Sequence, residues 1–318
     1  MSKVLVTGGA GFIGSHLAER LVNSGFDVCV YDNLSSGSIE NIKHLLNKKN
    51  FKFVKEDLLK PVTLPKILDE CEVVFHLAAN PEVRVSSVNP EIHFQQNVLS
   101  TYNLLECLRK TGKVRTFVFT SSTVYGEAKT PTPEDYPELK PISVYGASKL
   151  ACEALITAYA YNYGFRAVIY RLANIVGPRS KHGVIYDFIE KLRMNSRELE
   201  ILGDGTQTKS YLYIDDCLEA MFIGLEALGG QVEVFNVGSE DQLGVKSIAE
   251  IVVEEMNLKN VRFKFTGGVD GGRGWKGDVK NMLLDIRKLK SLGWKPRYTS
   301  KEAVKLTVKH FVGSKCLT

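Results

Sequence analysis

The sequence lacks the patterns typical of metalloproteins, disulfide-stabilised proteins and membrane proteins. Its six cysteines are scattered without a C-x-x-C pair, so we expect free, mostly buried thiols in a reducing compartment. The six histidines show no H-E-x-x-H or comparable spacing, which argues against a bound metal. No stretch reaches the ~20 apolar residues that span a bilayer, and no leader pattern precedes the first strand. We therefore expect a cytoplasmic protein that contains no metal.

A large excess of charge of one sign is also absent from the sequence. The net charge is +5 over 318 residues, and no dense Lys/Arg block marks a surface for nucleic acid. An apolar content of 44% and a charged content of 24% are ordinary for a globular protein. At roughly 100–200 residues per domain, this length predicts one large lobe or two unequal lobes.

The first half of the chain alternates short apolar runs with longer amphipathic ones. Several apolar runs are continuous, as expected for strands buried on both faces of a sheet. The predicted strands are 4–7, 28–31, 51–54, 73–79, 116–121 and 167–172, and the predicted helices between them are 13–24, 39–46, 64–70, 91–111 and 144–163. This β-α-β rhythm predicts an α/β fold with a doubly wound parallel sheet.

After about Arg171 the rhythm is lost and glycine becomes frequent. Helical patterns recur at 184–194, 216–228, 245–256 and 300–311. We predict a first lobe over residues 1–171 and a smaller C-terminal lobe, mainly for substrate, over residues 172–318. Residues 215–240 are expected to return to the first lobe as an extra helix and strand.

A G-x-x-G-x-x-G pattern formed by Gly8, Gly11 and Gly14 follows the first strand and precedes a helix. Early glycines allow a tight turn and close backbone approach to a pyrophosphate, and the last allows close helix–strand packing. Phe12 and Ile13 lie inside this turn. A purely structural turn is the alternative, but its place in a βαβ unit favours a dinucleotide site of the Rossmann type.

The carboxylate of Asp32, eighteen residues after the last of these glycines, ends the second strand. It can accept hydrogen bonds from both ribose hydroxyls of an adenosine, and it would repel the 2′-phosphate of NADP. Asn33 rather than an arginine follows, so NAD is the predicted cofactor; a turn aspartate is the alternative. Other candidates for cofactor contact, at the ends of the third and fourth strands, are Asp57, Leu58, Leu77, Ala78 and Ala79.

Tyr145 and Lys149 stand four residues apart at the start of a long helix and share one face. A nearby ammonium and a positive nicotinamide ring would lower the phenol pKa and let Tyr145 exchange a proton near neutral pH. Ser121, with Ser122 beside it, ends the fifth strand and can align the reacting oxygen. A solvated helix face and a plain hydroxyl-rich strand end are the alternatives. A hydride site and a proton carrier in one fold predict alcohol–ketone redox chemistry.

These motifs together resemble the extended short-chain dehydrogenase/reductase superfamily, and most of all its NAD-dependent sugar-nucleotide epimerases and dehydratases of the UDP-glucose 4-epimerase type. The resemblance runs from residue 3 to about residue 300. It is carried by the glycine turn and by residues 32–37, 121–126, 145–149, 171–174 and 203–216.

The resemblance implies roles for residues beyond the glycine turn. Ser121 and Tyr145 would contact the sugar hydroxyl and Lys149 the nicotinamide ribose. The further residues implied near the cofactor are Ser35, Ser36, Gly37, Asn97, Ser122 and Leu172. Those implied near the substrate are Asn174 and Lys209 at the diphosphate, Arg273 as a second phosphate ligand with Lys276 as its alternative, and Arg84 at the sugar, where a surface arginine is the alternative.

One departure from the family pattern bears on the reaction. Dehydratases of this group resemble Thr-Asp-Glu after the fifth strand, where the two acids remove water, whereas Ser122-Thr123 stand here. Without that pair, elimination has no evident acid and base. The expected activity is therefore C4 epimerisation of a UDP-hexose through a 4-keto sugar. Alternatives are another sugar-nucleotide epimerase or dehydratase, or a non-catalytic NAD-binding regulator. The resemblance also implies a homodimer formed by helices 91–111 and 144–163.

Overall fold

The centre of the protein is a seven-stranded sheet, which the computed structural model shows within residues 3–313, the part of the chain that it describes. The strands are β1 (Lys3–Thr7), β2 (Asp27–Tyr31), β3 (Phe51–Val54), β4 (Val73–His76), β5 (Thr116–Ser121), β6 (Arg166–Leu172), β7 (Asn174–Val176), β8 (Glu198–Ile201), β9 (Thr208–Lys209), β10 (Tyr211–Tyr213), β11 (Val232–Val237), β12 (Leu243–Gly244), β13 (Arg262–Phe265) and β14 (Asn281–Met282).

The order of the large sheet is β11-β6-β5-β4-β1-β2-β3, and every neighbouring pair is parallel. The chain first builds outward through β2 and β3 and then returns to the other side of β1. In such sheets, ligands bind beyond the carboxyl ends of the strands where the order reverses. The predicted doubly wound α/β fold is confirmed, and β1 and β4 flank the reversal.

The protein contains helices on both faces of this sheet and further helices in the C-terminal lobe. They are α1 (Phe12–Asn23), α2 (Leu64–Leu68), α3 (Glu91–His93), α4 (Ser100–Thr111), α5 (Val144–Tyr163), α6 (Val184–Met194), α7 (Ile214–Glu226), α8 (Val245–Glu255), α9 (Arg287–Ser291) and α10 (Ser300–Gly313). Alternate residues of a strand point to opposite faces. Val4 and Val6 accordingly pack in one apolar cluster with α1 and α7, whereas Leu5 packs in another with α4 and α5.

Two predicted helices differ in the structure. Residues 39–46 form short 3₁₀ turns instead of an α-helix, because Ser38 N and Asn41 Nδ2 both donate to the Ala10 carbonyl and hold the segment against the glycine turn. The predicted helix 91–111 contains a π-helical turn at Phe94–Leu99, which separates α3 from α4.

The segment after β6 builds a second apolar core. Helices α6, α8 and α10 pack around residues such as Ile189, Leu199, Val252 and Val304, and β8 pairs with β13 beside them. Strand β11 then joins the large sheet through six residue pairs with β6. The second lobe is therefore built largely from chain that leaves the first sheet after β6.

The cysteines of the described residues are free thiols, namely Cys29, Cys71, Cys107, Cys152 and Cys217, while Cys316 lies outside the described residues. Burial raises the pKa of Cys71 and of Cys217 to about 12, so both are inert at neutral pH. Within residues 3–313, no helix has the length and apolar character needed to cross a membrane. The same residues contain no group of three or more His, Cys, Asp or Glu side chains able to hold a metal ion.

Candidate active site

One cavity, of about 560 Å³, runs along the carboxyl ends of the central strands. Its first wall contains the glycine turn and the ends of β2, β4 and β5. Its second wall comes from the C-terminal lobe and contains Lys209, Trp275 and Asp278. Tyr145 and Lys149 also line it. The cavity therefore joins the two motifs that the sequence places more than a hundred residues apart.

The glycine turn is sterically required. Gly8 has φ of 69°, in the left-handed region, and a Cβ there would lie 2.6 Å from the Ala78 backbone nitrogen. A Cβ on Gly14 would lie 2.2 Å from the Gly8 carbonyl oxygen. Gly11 is the N-cap residue of α1, and the first turn of this helix, all of it described, carries no acidic side chain. The free N–H groups of a helix start favour an anion, so the turn fits a pyrophosphate.

Asp32 is buried and holds the turn in shape. Its carboxylate accepts hydrogen bonds from Ala10 N at 2.9 Å and from Leu34 N at 2.8 Å. Burial raises the pKa of Asp32, and the two backbone bonds oppose that shift. Each carboxylate oxygen has a second acceptor site. The residue therefore fixes local backbone and can still accept hydroxyl donors from the cavity.

The neighbouring polar groups are paired with each other. Asn33 Nδ2 donates to Asp57 Oδ2 at 2.9 Å, and Asn33 Oδ1 accepts from Ser35 N at 2.9 Å. This pairing links the ends of β2 and β3 at the far end of the cavity. Other predicted cofactor residues that line the cavity are Phe12, Ile13, Ser36, Gly37, Leu58, Leu77, Ala78, Ala79, Ser122 and Leu172.

Lys149 is almost completely buried beneath the cavity. Its ammonium donates to the Thr120 carbonyl at 3.2 Å, lies 4.8 Å from the Phe119 ring centroid and 5.9 Å from that of Tyr145. Burial lowers the pKa of Lys149 to about 8. The helix places both side chains on one face because they are four residues apart. Ser143 caps the start of this helix, with Ser143 Oγ accepting from Gly146 N at 3.0 Å.

The lowered pKa predicted for Tyr145 depends on Lys149 and a nicotinamide ring together, and it does not arise in the protein alone. Burial raises the pKa of this phenol above its ordinary value, and the proximity of Lys149 does not offset the desolvation. The sequence shows the opposite charge near Tyr145 but not the depth of its burial. The phenolate therefore depends on a further positive charge in the cavity.

Ser121 is 1% exposed and lines the cavity at the end of β5. Among the described residues, its Oγ finds no hydrogen-bond partner. Buried hydroxyls are normally paired, so an unpaired one facing a cavity fits a ligand contact. Ser122 Oγ differs, since it donates to the Leu172 carbonyl at 3.1 Å.

The predicted substrate residues fall into two groups. Arg84, Asn174 and Lys209 line the cavity. Arg273 is directed elsewhere, because its guanidinium donates to Glu127 Oε1 at 2.7 Å, to the Asp278 carbonyl at 3.0 Å and to the Asp270 carbonyl. The structure thus places Arg273 outside the cavity lining, and the alternative, Lys276, is exposed and also outside it.

Two of the cations that line the cavity, Arg84 and Lys209, are already paired with carboxylates. Arg84 donates to Glu82 at 2.9 Å and to Asp187 at 3.2 Å, and this second bond joins a loop of the first lobe to α6. Lys209 Nζ donates to Asp278 Oδ1 at 2.6 Å. Neither carboxylate partner of Arg84 is apparent from sequence spacing alone.

Asn97 supports the site from behind and does not line the cavity. It lies in the π-helical turn, where its Oδ1 accepts from Asn80 N at 2.8 Å and its Nδ2 donates to Ser148 Oγ at 2.8 Å. Ser148 Oγ in turn donates to the Tyr145 carbonyl at 2.7 Å. The neighbouring His93 contacts the Tyr145 ring, with centroids 5.6 Å apart. These contacts fix the start of the helix that carries Tyr145.

Gln207 and Trp275 are not among the residues that the sequence predicts for the site. Both line the cavity, and within residues 3–313 Gln207 Oε1 and Trp275 Nε1 are buried without a hydrogen-bond partner. Gln207 lies in the stretch 203–216 that carries the family resemblance, and Trp275 lies between Arg273 and Lys276, but neither residue has a motif that predicts a ligand contact.

Most of the chain matches a known family. A family model described as GDP-mannose 4,6 dehydratase matches residues 5–307. The chain belongs to this family. The predicted likeness to sugar-nucleotide epimerases and dehydratases of the extended short-chain dehydrogenase/reductase type is thereby confirmed.

Relatives within the family include several UDP-sugar epimerases. A putative UDP-glucose 4-epimerase of Methanocaldococcus jannaschii is 36% identical over 312 residues, which are 96% of this chain and 97% of that protein. A crystal structure of a UDP-galactose 4-epimerase is 44% identical, with a TM-score of 0.84 over 99% of this chain and 100% of that chain.

A third similar protein binds a different sugar nucleotide. The UDP-glucuronic acid 4-epimerase from Bacillus cereus, in complex with UDP-glucuronic acid and NAD, is 31% identical, with a TM-score of 0.88 over 98% of this chain and 99% of that chain. Both solved relatives are 4-epimerases, and they differ in the sugar. The comparisons therefore identify NAD-dependent UDP-sugar epimerases and dehydratases as the relatives of this chain.

Proposed function

We propose that this protein is an NAD-dependent epimerase that inverts C4 of a UDP-hexose, UDP-galactose or UDP-glucose, through a transient 4-keto sugar. One observation carries the proposal. Tyr145, Lys149 and the unpaired Ser121 Oγ line the same cavity as the glycine turn. A proton carrier and a dinucleotide cradle in one crevice are what alcohol–ketone interconversion requires.

The first wall holds the cofactor. The α1 start binds the pyrophosphate, and Asp32 accepts from the adenosine ribose while its charge excludes a 2′-phosphate. NAD, which the Bacillus cereus relative also holds, supplies a reversible hydride acceptor when bound. In this arrangement residues 1–171 with 215–240 serve the cofactor, and most of residues 172–318 serve the sugar nucleotide.

Tyr145 takes the proton of the sugar 4-hydroxyl and later returns it. Burial raises its pKa, so ionisation needs positive charge close by. Lys149 contributes one such charge, and the oxidised nicotinamide ring contributes another. Ser121 Oγ aligns the reacting oxygen. Tyr145 is therefore ionised, and able to accept a proton, only when both charges are present, which confines proton transfer to the loaded cavity.

Epimerisation is favoured over dehydration by the residues after β5. Ser122 Oγ donates to the Leu172 carbonyl and Thr123 Oγ1 to the Ser122 carbonyl, so hydroxyls with local partners stand where elimination would need an acid and a base. A neutral hexose is favoured over a glucuronate because Arg84 is paired with two carboxylates, Glu82 and Asp187, and this cluster is net negative.

The decisive experiment is a substrate panel. Purified protein is incubated with UDP-galactose, UDP-glucuronate or UDP-N-acetylglucosamine, with and without added NAD, and products are separated by chromatography. UDP-galactose should give UDP-glucose faster than either other substrate is converted. Preferred turnover of one of the others would replace the hexose assignment. Tight NAD binding without turnover would indicate a regulator.

The assembly proposed is a homodimer through α4 and α5. Tyr102 on α4 is 42% exposed, and Tyr161 and Tyr163 on α5 are 69% and 50% exposed. Large aromatic side chains on adjacent helices form a surface that a second copy would cover. Light scattering of the purified protein should give twice the monomer mass of 35.4 kDa; a monomer mass at micromolar concentration contradicts it.

A further inference from the structure

Two buried polar atoms in the second wall have no partner. Gln207 Oε1 and Trp275 Nε1 both lie at the cavity, and within the described part of the chain neither makes a hydrogen bond. They differ from Lys209 and Asp278 beside them, which are bonded to each other. Buried polar groups in native proteins are normally satisfied, so this pair indicates a ligand contact.

The orientation of Gln207 is set by its amide nitrogen. Nε2 donates to the Leu202 carbonyl at 3.0 Å, which identifies the other atom as the carbonyl oxygen. Gly203 makes room for it, because a Cβ there would lie 1.7 Å from Gln207 Nε2. The side chain is 7% exposed. Gln207 therefore presents a fixed acceptor to the cavity.

The position of Trp275 is set by the ion pair. Lys209 Nζ lies 5.4 Å from the centroid of the Trp275 ring, and its Asp278 partner accepts from Gly274 N at 3.2 Å through Oδ2. The indole N–H can only donate. The wall therefore offers one donor and one acceptor, each held by other contacts.

A phosphate supplies only hydrogen-bond acceptors. It would pair with the N–H of Trp275, but its oxygens would face the carbonyl oxygen of Gln207, which carries a partial charge of the same sign. A uridine supplies both kinds of group, through the C=O and N3–H of the base or through a ribose hydroxyl. We propose that Gln207 and Trp275 recognise the uridine of the sugar nucleotide, with Trp275 donating and Gln207 accepting. This inference rests on the proposed function, since it concerns the same substrate.

Calorimetry tests the pair with UDP, CDP, 2′-deoxy-UDP and inorganic pyrophosphate as probes. Trp275→Phe and Gln207→Met should each weaken UDP about tenfold, the size of one lost hydrogen bond, and leave pyrophosphate unchanged. The variants should also lose one of two binding preferences of the wild type, for UDP over CDP or for UDP over 2′-deoxy-UDP. Loss of UDP over CDP identifies the base as the partner, and loss of UDP over 2′-deoxy-UDP identifies the ribose.

Trp294→Phe is the matched control, because its indole N–H donates to the Asp216 carbonyl in the core at 3.2 Å. It should bind UDP as the wild type does. Tryptophan fluorescence of the wild type tests the site even if a variant is unstable. UDP should change the emission of the wild type, which has two tryptophans, but not that of Trp275→Phe.

Three results would separate the possibilities. Unchanged UDP affinity in both cavity variants, with unchanged wild-type emission, overturns the uridine site. An equal loss for pyrophosphate assigns the pair to the diphosphate instead, and also overturns it. A wild type that binds none of the uridine probes contradicts the proposed function itself.

Discussion

The two walls of the cavity are built on different principles. The first wall presents mainly backbone, and the polar side chains around its glycine turn are already bonded, as in Asp32 to Ala10 N and Asn33 to Asp57. Ser121 Oγ at the end of β5 is the exception, since it has no partner among the described residues. The second wall presents side chains, and Gln207 Oε1 and Trp275 Nε1 remain unpaired in the same part of the chain. The glycine turn is therefore held in shape without its ligand, whereas the second wall has hydrogen bonds still to make.

This difference determines what a substitution can do in each wall. A change in the backbone wall acts through sterics and alters folding and binding together. A change in the side-chain wall removes one contact and leaves the fold intact. Variants of the first wall should therefore lose ligand binding and stability together, whereas variants of the second wall should lose ligand binding alone.

The largest effect is expected where the walls meet, at Tyr145. Tyr145→Phe should lower turnover of UDP-galactose by about 10²–10⁴-fold, because the proton carrier is lost, and should retain bound NAD. Tyr161→Phe on the exposed side of the same helix is the control and should keep full turnover. Rates are measured by coupled assay and NAD by absorbance after denaturation. Full activity of Tyr145→Phe refutes its role.

In the backbone wall, Gly14→Ala should lower both stability and NAD retention. Its Cβ would lie 2.2 Å from the Gly8 carbonyl, so the turn must shift, at a cost of about 1–3 kcal/mol. Gly229→Ala is the control, because its Cβ would meet nothing closer than 3.9 Å. Thermal melting and NAD content report the result. Loss of NAD at wild-type stability would show that the turn is not sterically coupled to the fold.

Lys149 should make stability depend on pH with a defined sign. Burial lowers its pKa from 10.5 to about 8, so the unfolded chain binds the proton more tightly between these values. Stability is therefore lost as the pH falls from about 10.5 to about 8, by up to ~3 kcal/mol, and changes little through this group below that range. Lys149→Met removes this cost, so it should be more stable than the wild type at pH 7.

The measurement is denaturant unfolding of cofactor-free protein at pH 7 and pH 9.5. The advantage of Lys149→Met should shrink at the higher pH, because the wild type is then largely neutral at this position. Comparing two variants at each pH cancels the titration of other groups. A constant difference across the two pH values would show that Lys149 is protonated in the folded protein at both.

The smallest effect is expected at the ion pair that joins the lobes. Arg84 and Asp187 are 41% and 35% exposed, so solvent screens their attraction. Asp187→Asn should change the free energy of unfolding by less than about 1 kcal/mol. Lys43, paired on the surface with Glu40, provides a comparison through Lys43→Gln. A loss well above that size would show that this contact holds the walls together.

Much of the first wall could be predicted from sequence because sterics limit it to few residue types. Only glycine fits at Gly8 and Gly14, so their spacing after a strand reveals the turn. The Tyr145–Lys149 pair was likewise visible, since four residues make one helical turn. Their burial was not visible, and it raises the pKa of Tyr145 in the protein without a bound cofactor.

The second wall was harder to predict because it depends on how distant loops meet. Arg273 was a reasonable candidate by type, yet its loop turns through several glycines with positive φ and directs it to Glu127. Gln207 and Trp275 carry no motif of their own. They become a pair only when the turn after β8 and the loop before β14 come together, which no local pattern records.

The return of β11 to the large sheet has a consequence for how the protein is made. Fifty-nine residues separate the end of β6 from the start of β11, so in a nascent chain released at the first lobe alone the largely buried strand β6 would form the sheet edge in place of the partly buried β11. Open edges of this kind associate with other chains. A fragment cut after β6 should therefore precipitate rather than serve as a stand-alone dinucleotide module, because the first lobe needs β11 from the later part of the chain to complete its sheet.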